Sequence, residues 1–177
     1  MSMPTPSTAT ETPTEQSPPH GPMTLAEMTT LAHNYHVPMS EGTLATLAAP
    51  HGELDPQKAQ GFEDYLKTTA AGLYPTLAPQ IKQGIPTAML LDPYRQMGKQ
   101  VLGEQFEPNF QSDPNARAAL EGGFDPQTQR PAPMSLTQWQ AHLKSDPAFG
   151  YMNTPQGQME KAQMVAKIHS ALQGGSS

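Results

Sequence analysis

The stretch Met134-Ser135-Leu136-Thr137-Gln138-Trp139-Gln140-Ala141-His142-Leu143-Lys144-Ser145-Asp146-Pro147-Ala148-Phe149-Gly150-Tyr151-Met152-Asn153-Thr154-Pro155 decides the fold of this chain. It opens on a capping box, Ser135 with Gln138 three residues on, which satisfies two free amides at a helix start. Leu136, Trp139 and Leu143 then recur at helical spacing. Asp146-Pro147 marks a new start, and Thr154-Pro155 marks another. A short polar side chain at the N-cap accepts from the first turn, and proline next to it gives up only a donor that had no partner. The block therefore predicts helix, turn, helix. It holds the only tryptophan and two further aromatics, Phe149 and Tyr151, and it carries no catalytic motif.

The same signals extend outward along the chain. Asp-Pro recurs at Asp55-Pro56, Asp92-Pro93, Asp113-Pro114 and Asp125-Pro126, and a second capping box pairs Thr24 with Glu27. Glycines at 72, 84, 103, 122–123 and 174–175 follow helix-like runs, as C-terminal caps do. Pairing starts with stops predicts helices near 25–34, 41–49, 56–71, 77–83, 87–102 (broken or kinked at Pro93), 114–121, 136–145 and 155–172. Tyr94, Met97, Val101 and Leu102 share a face, as do Met164, Ile168 and Leu172 with Val165 beside them. No run of β-branched residues alternates over a useful length. The expected fold is all-α: several short capped helices in a small irregular bundle or an extended helical array. Residues 1–22 are Pro/Thr-rich and acidic with little to bury, so a disordered tail is expected there. A small helical hairpin over 23–52 and a main helical domain over 53–177 follow, the latter ending in a helix-turn-helix module at 134–172.

Charge and composition narrow the function. Residues 1–57 carry six acids and no lysine or arginine; all ten basic residues, with the remaining ten of sixteen acids, lie in 58–177. That balance offers no basic patch to neutralise phosphates and argues against direct nucleic-acid binding. With no cysteine, disulfides, thiolate metal sites and cysteine nucleophiles are excluded. No run reaches the roughly 18 apolar residues of a membrane span, so no membrane insertion is expected. The N-terminus has neither the basic nor the apolar region of a secretory signal.

Candidate chemistry is thin. His33 and His36 stand three apart, but a metal site needs three or four ligands. Glu63 and Asp64 are adjacent on a helix, where side chains point about 100° apart, and a solvated face explains them better. Glu104 and Glu107 lack any flanking motif, and Glu121-Gly122-Gly123-Phe124 lacks the lysine and strand of a phosphate loop. No enzyme activity, cofactor or metal is expected. Two clusters suit recognition or packing instead: Tyr94 with Arg95, read as the first turn of a helix capped at Asp92, and Trp139 with Phe149 and Tyr151. Trp, Tyr and Arg dominate interface hot spots, and aromatics also close small cores.

Leu73-Tyr74-Pro75, Leu91-Asp92-Pro93-Tyr94-Arg95-Gln96 with Val101-Leu102-Gly103, and the 134–155 block together resemble segments of tailed-bacteriophage virion structural proteins. The C-terminal part is similar to the helical, non-catalytic element that ends some internal virion and tail tape-measure-like proteins. The resemblance covers about residues 70–172; the last helix departs from it, being Met- and Gln-rich and ending in Gly-Gly-Ser-Ser. It implies a non-enzymatic structural or assembly protein, made in the host cytoplasm and built into the virion. Its partners would be other virion or assembly proteins, or further copies of the chain, with Tyr94, Arg95, Trp139, Phe149 and Tyr151 as contact residues. The alternatives are an adaptor or effector binding one protein, and a wall-degrading glycosidase acting through Glu63 or Glu104.

Overall fold

Local capping sets most of the architecture. A computed structural model describes residues 21–48 and 51–174, with no description of the side chains of 172–174. The expected disordered tail therefore falls, for residues 1–20, outside the described residues. Helices α1 (Leu25–Asn34) and α7 (Leu136–Ser145) both start on complete capping boxes, at Thr24/Glu27 and Ser135/Gln138. Asp55 and Asp113 cap α3 (Pro56–Leu73) and α6 (Pro114–Glu121) with proline in the first turn. Thr154 Oγ1 accepts from Gly157 N at 3.1 Å at the head of α8 (Pro155–Gly174). Helices α2 (Glu41–Ala48), α4 (Ala78–Lys82) and α5 (Thr87–Leu102) complete a mostly helical fold.

Three local signals read differently in three dimensions. Helix α5 runs through Asp92-Pro93 without interruption, because Thr87, Leu91, Gly98 and Val101 are buried on both sides of Pro93. That packing outweighs one missing donor. Tyr94 and Arg95 consequently sit in mid-helix, not in a first turn. Gly72 does not end α3, which continues to Leu73 and caps at Tyr74. Two small antiparallel ladders also form. β1 (Met23–Thr24) pairs with β2 (Glu53–Leu54), tying the first two helices to the start of α3. β3 (Gly123–Asp125) pairs with β4 (Arg130–Ala132), so the Asp125-Pro126 signal opens a hairpin turn rather than a helix. A Cβ on Gly123 would come 2.7 Å from Ala132 O and 2.5 Å from Pro133 O, so this strand pair closes only on glycine.

One apolar cluster runs from Met23 to Tyr151. Met28 and Leu44 of α1 and α2, Leu66 of α3, Ile81 of α4 and Leu91 of α5 are its inner members. At the other end Trp139 and Leu143 are wholly buried, with α7 laid along α5. Among the described residues no helix is long and apolar enough to cross a membrane. Trp139→Ala should leave a large cavity and destabilise the fold by about 3–5 kcal/mol. Urea unfolding followed by circular dichroism measures this, and an unchanged midpoint would show that the indole is not a core anchor.

Candidate functional site

The five contact residues expected from the sequence fall into two interior places. Trp139 is fully buried and donates its indole N–H to Tyr94 O at 3.0 Å. Tyr94, half-buried, donates its hydroxyl to Met134 O at 2.7 Å and packs edge-on against Phe110. Phe149 stands edge-on to Trp139 at 5.6 Å and to Phe106 at 5.9 Å. Tyr151 is buried, with the Lys144 ammonium 5.0 Å from its ring centre. Trp139, Tyr94, Phe149 and Tyr151 are thus brought together as packing. Burial leaves Trp139 and Tyr151 no free surface to offer a partner.

Arg95 lies apart from them, in a polar seam between α5 and the end of α1. The last turn of α1 closes as a Schellman motif: Val37 N donates to Ala32 O and His36 N to His33 O, both at 3.0 Å. The left-handed position in that motif usually holds glycine, yet here it is His36, at φ +54°. Its ring stacks near His33 and its Nε2 lies 3.4 Å from an Arg95 terminal nitrogen. Gln111 donates to His36 O at 2.8 Å. Burial, then the Arg95 guanidinium, then His33, hold the His36 imidazole down to about 4. The neutral ring is the form that accepts from Arg95.

The carboxylates are scattered. Glu63 pairs with Lys67 one turn along α3. Glu104 is exposed in the turn after α5, and Glu107 pairs with Lys99. Among the described residues no group of three or more His, Asp or Glu is placed to hold a metal.

Apolar side chains are exposed elsewhere, singly at positions such as Met89 and Phe124, and in two places that involve several residues. The first is α8. Its base is fixed: Gly157 sits so close to the Tyr151 carbonyl that a Cβ there would overlap it, and Lys144 Nζ bonds Glu160 at 2.8 Å. Beyond Glu160 every described side chain, 161–171, is exposed. Met164, Val165 and Ile168 are 59%, 59% and 54% exposed, so no other described residue covers this stripe. The second is a groove of about 480 Å³ between α2 and α3. Leu54 and Phe62 form its floor, and Met39, Leu47 and Tyr65 its sides.

The chain matches no protein-family model, no curated protein and no solved structure.

Sequence spacing pointed to the α8 stripe without saying which way it faces. The groove was missed, because Met39, Leu47, Leu54 and the pair Phe62 and Tyr65 come from four separate segments that share no period. The His36 pair has a pH signature. A base held below its ordinary value is neutral in the folded chain, while the unfolded chain takes up a proton near 6.5. The stability contributed by neutral His36 is therefore complete above about pH 6.5 and is lost as pH falls towards about 4. For this half-exposed ring the loss between pH 7 and 5 should be about 1–2 kcal/mol. His36→Asn, which tolerates the left-handed backbone, should flatten the profile over that window; an unchanged slope would show that His36 is not its source.

Proposed function

We propose that this chain is a non-catalytic structural or assembly protein of a tailed-bacteriophage virion, acting through helix-mediated contacts with other virion subunits. The observation that carries the contact role is α8, in which every described side chain from 161 to 171 is exposed. A free helix of this length is marginal in water, since isolated helices shorter than about 12–15 residues gain too little to offset nucleation. A helix held at one end, with apolar side chains exposed along the rest, is the form of an element that completes its packing on a partner. The virion setting rests on the resemblance of residues 70–172 to virion structural proteins.

The contact residues shift accordingly. In this reading Met164, Val165 and Ile168 meet the partner, while Trp139, Phe149 and Tyr151 hold the base from which α8 projects. Tyr94 and Arg95 brace that base through α5.

Val165→Asp with Ile168→Asp places two charges in the stripe without touching the core. Unfolding stability should stay within about 0.5 kcal/mol of the parent chain. Mass spectrometry of purified virions should find the parent chain as a stoichiometric component and the double variant depleted. Absence of the parent chain from virions overturns the virion setting; full incorporation of the variant overturns the role of α8.

A further inference from the structure

Glu41 of α2 and Lys161 and Lys167 of α8 form no ion pair among the described residues. They mark two exposed surfaces of opposite sign. The first is a groove of about 730 Å³ between α1 and α2, lined by Leu25, Ala26 and Thr29 of one helix and Glu41, Gly42 and Ala45 of the other. Its one hydroxyl is already satisfied, since Thr29 Oγ1 donates to Leu25 O at 2.9 Å. Glu41 is its one charged lining side chain, and residues 21–48 around it hold Glu27 and Glu41 with no lysine or arginine. Small residues leave the floor open: a Cβ on Gly42 would meet only Ser40 Oγ, at 3.9 Å.

Outer α8 is the converse, with large apolar side chains and positive charge. Residues 161–177 contain Lys161 and Lys167 and no acid. Lys161 stands one turn before Val165, on the face that carries the exposed stripe. Met164 and Ile168 are one turn apart, as are Leu25 and Thr29, and Glu41 and Ala45, along the two walls of the groove. We infer that the outer half of α8 docks in the α1–α2 groove of a second copy of the chain, with Lys161 beside Glu41. Large side chains of one helix then enter the space that small residues leave between two others, the ordinary form of helix packing.

The alternatives within the same molecule fit less well. Gly157 and the Lys144–Glu160 bond pin the base of α8 on the turn Tyr151–Asn153, which holds the helix away from its own groove. Pairing α8 with another α8 sets lysines of both copies together with no carboxylate between them. The α2–α3 groove is lined by Lys58 and no acid. Because the contact uses a different surface on each copy, it propagates into a ring or an open filament and does not stop at a symmetric dimer. This inference rests on α8 being the docking element and names what it docks on.

The test is sedimentation velocity of the purified full-length chain across a wide concentration range. The parent chain should shift from one-chain mass to larger species as concentration rises. A helix-blocked variant (Val165→Asp with Ile168→Asp) and a groove-filled variant (Gly42→Gln with Ala45→Gln) should each stay monomeric. Mixed, they should form a species of two chains and no larger, one intact helix in one intact groove. Glu41→Lys and Lys161→Glu should each weaken association roughly tenfold at low salt, and the two changes in one chain should restore it. Circular dichroism of each variant checks that the fold is kept. A folded groove-filled variant that assembles like the parent, a mixture that stays monomeric, or charge reversals that do not rescue each other overturns the inference. A parent chain that is monomeric at every concentration, while the helix-blocked variant is still lost from virions, overturns this partner and leaves the contact role of α8 standing.

Discussion

A relay of backbone-directed hydrogen bonds around Trp139 organises the C-terminal half. Met134 N donates to Ala119 O, Tyr94 Oη donates to Met134 O, and Trp139 Nε1 donates to Tyr94 O. Three bonds join α6, the connection into α7, α5 and α7. A fully buried indole needs a partner for its N–H, and the nearest backbone is a mid-helix carbonyl of α5. Tyr94 is therefore bonded at both ends. Phe149 and Phe106 then close the aromatic cluster edge to face, which draws the long connection after α5 against the turn that precedes α8.

The N-terminal half is joined to this frame by a more polar device. His36 occupies a backbone position that disfavours side chains, at a cost of roughly 1–2 kcal/mol. In return its imidazole meets Arg95 and its carbonyl meets Gln111. The ladder between β1 and β2 gives the second tie, closing α1 and α2 onto the head of α3. The groove between α2 and α3 follows from that closure: Leu54 of β2 supplies its floor, and the curve of the chain around it leaves Leu47 and Tyr65 on the rim.

Helix starts were legible in the sequence because each rests on a bond between residues two or three apart. Thr24, Asp55, Asp113 and Ser135 each cap as their spacing indicates. Signals that depend on distant packing were not legible in the same way. Asp92-Pro93 has the form of a start, but Leu91 on one side and Gly98 with Val101 on the other are fixed by elements far along the chain. The strands β3 and β4 hold no β-branched residue to announce them; the hairpin forms because Gly123 admits the backbone of 132–133. Trp139 and Tyr151 expose a further limit of composition: the residue types that anchor interfaces are those that anchor cores, and only burial separates the two.

The α8 stripe presents the converse problem. Met164, Val165 and Ile168 have the spacing of a core-facing helix, so the pattern specifies a partner surface without saying whose. Geometry answers the first half of that question, since the base of α8 is locked and its outer half reaches past the core. Charge bears on the second half: residues 161–177 hold Lys161 and Lys167 and no acid, so long-range attraction favours a partner surface that carries carboxylates beside its apolar side chains.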